Sequence, residues 1–170
     1  MIRFDSDYIE GCHPRILQAL TESNMAQTPG YGMDEYCCRA RELIKTACAA
    51  PEAEVHFLVG GTQTNTTVIA SVLRPWEGVI CPESGHINCH ETGAIEAAGH
   101  KVLALPHVNG KISAQQLQAA VTALRGDPNA EHIVQPGMVY ISQPTEYGTM
   151  YSGEELAALF AVNILSSESK

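Results

Sequence analysis

Four segments carry residues that could do chemistry. The first is Gly60-Gly61-Thr62-Gln63-Thr64-Asn65, placed between an apolar run and a helical pattern. Backbone N–H groups at a helix N-terminus point outward, and the helix dipole favours an anion there. Glycines allow a phosphate to approach the backbone, and Thr62 adds a hydroxyl donor. The same residues also make an ordinary glycine turn with a threonine cap. Neither a G-K-[ST] P-loop nor a G-x-G-x-x-G dinucleotide fingerprint is present. The second segment is Ser84-Gly85-His86-Ile87-Asn88-Cys89-His90-Glu91. His86 could stack on a planar cofactor. His86 and His90, with Cys89 and Glu91, could instead ligate a metal, although H-E-x-x-H and C-x-x-C are absent. Histidines flanking a helix start, and a solvated Glu91, are the bland alternative.

The third segment, Ser142-Gln143-Pro144-Thr145-Glu146-Tyr147-Gly148-Thr149, follows an apolar strand pattern. In open α/β sheets ligands bind beyond the carboxyl ends of strands, so these side chains would face the same crevice as His86. Read alone, it is a polar strand-to-helix loop. The fourth set, Phe4-Asp5-Ser6-Asp7 and Tyr31-Gly32-Met33-Asp34-Glu35, reads by itself as polar turns.

The elements that would position these segments follow from periodicity. His13-Pro14 opens a helix to about Asn24, proline suiting a first turn. Residues 33–48 form an amphipathic helix with Tyr36, Ala40, Leu43, Ile44 and Ala47 on one face. Glu54 to Val59 is a strand, and residues 61–73 a helix. Val79-Ile80-Cys81 is a short buried strand, residues 88–97 a helix stopped by Gly99, and Lys101 to Leu105 a strand. Ser113 and Gln116 form a capping box at the head of a helix to about Leu124. Met138 to Ser142 is the last strand, and Ser152 opens the last helix. Alternating strands and helices predict an α/β domain with a mainly parallel sheet.

Composition sets the outer limits. The chain has 170 residues, 45% apolar and 17% charged, as in ordinary globular domains. A net charge of -9 argues against nucleic acid or an anionic membrane surface as a partner. No apolar run approaches membrane-span length, and Met1 to Asp5 lacks a signal-peptide core. The six cysteines then read as free thiols in a reducing cytoplasm.

Taken together, Ser6-Asp7, His13-Pro14, Tyr31-Gly32-x-Asp34, Gly61-Thr62-x-x-Asn65, His86-x-x-x-x-Glu91-x-Gly93 and Gly148 resemble the low-specificity threonine aldolases in order and approximate spacing. These belong to the β-eliminating-lyase group of fold-type-I pyridoxal-phosphate (PLP) enzymes. The resemblance runs from about Phe4 to Ala161. It implies a partial fold-type-I large domain that binds PLP and a small amino acid, cleaving a β-hydroxy amino acid to glycine and an aldehyde. Gly61 and Thr62, with Asn65 and Thr145, would bind the cofactor, and His86 would stack on its pyridine ring. His86, Glu91 and Glu146 are the catalytic candidates. Ser6 would bind the substrate carboxylate, and Tyr31 would lie near an active site shared between subunits of a homo-oligomer.

The chain departs from the family pattern at two places. Glu146 stands where the family usually has the histidine of Asn-Thr-His, a residue implicated in handling the substrate hydroxyl. A carboxylate could still serve there as acid or base. The family's Asp-Gly-Ala-Arg strand and its Schiff-base lysine have no counterpart among Lys45, Lys101, Lys111 and Lys170. The expected organisation is an N-terminal helical segment (1–50), a partial PLP-binding domain (51–162) and an aberrant polar tail (163–170), as in a truncated lyase inactive by itself. The alternative is a non-catalytic phosphate- or PLP-binding remnant.

Overall fold

The computed structural model describes residues 9–164, which form two compact units divided after Phe57. Ser6 and the stretch from 165 to Lys170 lie outside the described residues.

The first unit holds α1 (Pro14–Ser23) and α2 (Glu35–Ala47). Pro14 sits in the first turn of α1, where its missing N–H costs no hydrogen bond. His13 caps that turn by accepting from the Arg15 N–H at 3.2 Å. Asp34 caps α2, accepting from the Cys37 N–H at 2.8 Å, and this bond holds the Asp34 carboxyl below its ordinary value. Neither helix contains a buried residue. Leu17 and Leu20 on α1, and Tyr36 and Leu43 on α2, remain more than half exposed.

The expected strand from Glu54 to Val59 does not form. Its alternating apolar residues suit a strand, but a strand exists only by pairing. Among the described residues nothing makes ladder bonds to it. Phe57, Leu58 and Val59 stay exposed, and the Val59 N–H turns to the Gln63 side chain at 3.1 Å.

The second unit is a three-stranded parallel sheet in the order β2-β1-β3, flanked by helices. In chain order it runs α3 (Gly61–Val72), β1 (Glu77–Pro82), α4 (His86–Cys89), α5 (Ala94–Ala97), β2 (Lys101–Leu105), α6 (Ala114–Gly126), β3 (Gln135–Val139) and α7 (Gly153–Phe160). β1 is central, and its residues from Gly78 to Pro82 are all buried. Side chains alternate across a strand, so β1 feeds two cores. Val79 and Cys81 pack with Ile69, Leu73, Ile87 and Ile95 from α3, α4 and α5. Ile80 packs with Leu117, Val121 and Leu159 from α6 and α7, beside Ile112 and Tyr151. Gly78 is required by close approach: a Cβ there would lie 2.6 Å from the Lys101 carbonyl oxygen.

Two elements differ from expectation. The helix expected over 88–97 is broken into α4 and α5, because Thr92 and Gly93 adopt left-handed φ angles of 55° and 72°. Such a pair cannot continue a right-handed helix. β3 begins at Gln135, three residues before the expected start, and ends at Val139. Pro136 and Gly137 look like strand breakers, but β3 is an edge strand, where a missing N–H is tolerated. Tyr140 still donates its N–H to the Ile80 carbonyl at 2.8 Å beyond the strand end.

The capping box of Ser113 and Gln116 forms as expected, and Ser152 with Glu155 makes a second one at the head of α7. At the start of the stretch expected to be a polar tail, the Asn163 carbonyl accepts from Arg125 at 3.3 Å, and Ile164 packs on the second core.

Candidate functional site

β1 and β3 are parallel neighbours, so the loops after Pro82 and after Val139 leave the same edge of the sheet. α3 runs back along the sheet before the short turn into β1, which brings its N-terminal half to that edge as well. A side-chain contact fixes this arrangement: Asn65, in the second turn of α3, donates its amide to Glu91 Oε1 at 2.7 Å.

The N-terminus of α3 is open. Gly60 is its extended N-cap, and no side chain caps the helix. The first turn's N–H groups have no intrahelical acceptor, as at any helix start. A Cβ at Gly60 or Gly61 would meet nothing within 4 Å, and Thr62 is exposed. An anion could therefore reach the Gly61 and Thr62 amides without displacing any side chain.

His86 opens α4. Its ring is half exposed, with Nδ1 3.8 Å from Glu146 Oε1. That is an ion-pair distance, too long for a hydrogen bond. Glu146 is held from the other side by Ser142, whose Oγ donates to Oε1 at 2.8 Å. The His86 and His90 rings lie 5.2 Å apart, tilted by 46°. Cys89 points elsewhere, its Sγ donating to the Glu83 carbonyl at 2.9 Å. Among the described residues no three His, Cys, Asp or Glu side chains converge as metal ligands.

Glu91 is 5% exposed, and its Oε2 has no hydrogen-bond partner among the described residues. Glu91 follows the end of α4 and directly precedes the left-handed Thr92–Gly93 pair. Tyr140, half-buried against the first core, has its hydroxyl 3.5 Å from Ser142 Oγ. Burial pushes its phenol above the ordinary value, helped by the carboxylates of Glu91 and Glu146 and opposed by the polar side chains of Ser142 and Asn65. Sequence reading passed over Tyr140 and took in Ser142 only as the first residue of the third segment, without a role. The available signal was their spacing of two at a strand end, which puts both on one face. Cys81, beneath the site, has its thiol pushed up to about 12, chiefly by burial.

The structure thus brings together Asn65 with Glu91 and His86 with Glu146. Thr145 is committed otherwise. It is buried, with its hydroxyl 2.7 Å from the Thr149 hydroxyl and accepting from the Tyr147 N–H at 3.2 Å. These bonds close the 145–149 turn. Tyr31 lies in the first unit, fully exposed at a left-handed φ of 61°. No helix among the described residues is long and apolar enough to cross a membrane.

The beta-eliminating lyase family model matches residues 4–163. The low specificity L-threonine aldolase of Pseudomonas aeruginosa is 32% identical over 165 residues, covering 94% of this chain and 45% of that protein. The corresponding enzyme of Pseudomonas sp. strain NCIMB 10558 shows the same identity and coverage. The threonine aldolase structure from Leishmania major superposes with a TM-score of 0.86 at 46% identity, covering 92% of this chain and 44% of that one. The chain thus spans about 45% of the length of the curated relatives it matches, and its α/β fold is part of the fold-type-I architecture. A match over nearly the whole chain, on the elements that carry the α3 N-terminus and the His86 loop, makes it a member of the beta-eliminating lyase family.

Proposed function

We infer that this chain supplies the cofactor-cradling part of a PLP-dependent carbon–carbon lyase of the threonine-aldolase type, acting on β-hydroxy amino acids. The observation that carries this reading is the meeting of the open α3 N-terminus and the His86–Glu146 pair at one sheet edge, tied by the 2.7 Å Asn65–Glu91 bond. The donor set fits the cofactor's two ends: free amides for a phosphate, and a half-exposed imidazole for a planar ring.

When bound, PLP supplies an electron sink that weakens bonds at an amino acid's α-carbon. The chain's own residues bind and orient. Gly61 and Thr62 would hold the phosphate, with Asn65 fixed behind them by Glu91. His86 would cover the ring. Glu146, fixed by Ser142, could accept or return a proton at the substrate hydroxyl. Thr145 would contribute by shaping the loop that presents Glu146, and Ser6 and Tyr31 would contact substrate in a homo-oligomer working in the cytoplasm.

As a separate polypeptide, the chain is expected to bind without turning over. The unit that holds the site has two described lysines. Lys101 starts β2, at the sheet end opposite the His86 loop. Lys111 Nζ is held by Glu155 at 2.6 and 2.8 Å. Neither amine is free at the site. Titrating PLP into the purified chain should show saturable binding that inorganic phosphate displaces and that leaves no lysine adduct after borohydride. Incubation with a β-hydroxy amino acid should release aldehyde no faster than PLP alone. No saturable binding would sink the cofactor reading, and rapid aldehyde release would sink the non-catalytic one.

A further inference from the structure

Tyr140 lies near two acid-bearing pairs and belongs to neither. In one, Asn65 donates to Glu91 at 2.7 Å; in the other, Ser142 donates to Glu146 at 2.8 Å. The Tyr140 hydroxyl is 3.5 Å from Ser142 Oγ. Ser142 has a single hydroxyl proton, and the short contact commits it to Glu146. The serine oxygen can still accept, so the phenolic O–H is the group placed to donate there. Donations in series polarise one another. At the far end, Glu146 Oε1 faces His86 Nδ1 at 3.8 Å. Without a hydrogen bond, the carboxylate's charge at that distance still favours the proton on the nearer nitrogen, Nδ1, over Nε2.

We propose that Tyr140 is a positioning residue: through Ser142 its hydroxyl holds Glu146 toward His86, and so decides which imidazole nitrogen carries the proton. The competing role is plain. The Tyr140 ring packs against the core of Ile69, Leu73 and Val79, and a tyrosine can serve there by volume alone. In that case phenylalanine would replace it silently. The two roles differ only in the hydroxyl. The inference rests on the lyase reading solely for what the His86 ring would cover; the tautomer itself needs no cofactor.

The test is nitrogen NMR of the full 170-residue chain with ring-labelled histidine, without PLP, at a pH above the imidazole titration. The spectrum of His86→Gln identifies the His86 signals. In the unsubstituted chain the Nδ1–H form should dominate. Tyr140→Phe and Ser142→Ala should each lower the Nδ1–H to Nε2–H ratio by about threefold or more, with the sheet amide shifts unchanged. An unchanged ratio in a folded Tyr140→Phe overturns the proposal. Should Tyr140→Phe not fold, Ser142→Ala decides, because it cuts the same path at a half-exposed residue; an unchanged ratio there overturns the proposal too. The PLP titration described above is read separately, so failure of cofactor binding and failure of the tyrosine path give different results.

Discussion

Asn65 makes the contact on which the site's geometry depends. It sits one turn inside α3 and gives the buried Glu91 carboxyl its one hydrogen bond among the described residues. Asn65→Ala would leave that carboxyl, on a residue only 5% exposed, without a partner. Breaking a buried pair from one side costs more than the pair contributes, so the expected loss of stability is about 2–3 kcal/mol, read by urea denaturation. Thr62→Val tests the phosphate cradle instead. It removes a hydroxyl donor at an exposed position, so it should weaken PLP binding about tenfold while leaving the melting temperature within a few degrees. Equal affinity in that variant would take Thr62 out of the cradle. His86, Glu91 and Asn65 could be picked out as candidates from the sequence because their spacing resembles a family pattern. Tyr140 could not be, and Ser142 could be only as part of a polar loop, because Glu146 folds back four residues later to meet Ser142, a contact no local pattern announces.

At the scale of elements, helix starts were the most legible feature, since capping is local chemistry. The capping box at Ser113–Gln116 is written in four consecutive residues and forms as read. Strand ends were less so, because they depend on neighbours. Glu54–Val59 has strand composition but no partner, and Pro136-Gly137 has breaker composition on an edge that tolerates it. Two predictions belong here. Leu117→Ala empties a fully buried position in the second core and should cost about 2–5 kcal/mol. Glu155, at the cap of α7, has its carboxyl held below its ordinary 4.5 by Lys111 first and then by the Ser152 N–H. A carboxylate depressed on folding stabilises the fold above its unfolded value and loses that contribution as pH falls through its folded value. Stability should therefore drop as the pH is lowered below about 4.5. Glu155→Gln should flatten that part of the profile in thermal melts, and an unaltered profile would remove the Lys111 pair as its cause.

At the scale of the whole molecule, the chain carries much uncovered apolar surface. A cleft of about 900 Å³ beside β3 is lined by Met138, Ile141, Leu156, Leu159 and Phe160, and Phe160 is 94% exposed. Within the first unit, Ile16, Leu17 and Leu20 form a bare stripe on α1. Patches of this kind mark surfaces made for contact. The chain should therefore self-associate with rising concentration in analytical ultracentrifugation, and Phe160→Ser with Leu20→Lys should shift it toward monomer. A sharp monomer at all concentrations would contradict this. Fold class was legible at this scale because alternation of strand and helix survives in any fragment of an α/β chain. What covers these faces was not, since exposed leucines read in sequence like buried ones.

The corner at Thr92–Gly93 has a consequence beyond ending a helix. With residue 93 left-handed, the chain leaves α4 at once, and the acid at residue 91 drops inward onto Asn65. Substituting valine for Gly93 would press the backbone toward one straight rod. On such a rod the acid would swing out into solvent and the amide would lose its acceptor. The placing of the buried acid against Asn65 is in that sense set by a torsion angle, and swapping acidic groups while leaving the corner intact would not reproduce the loss.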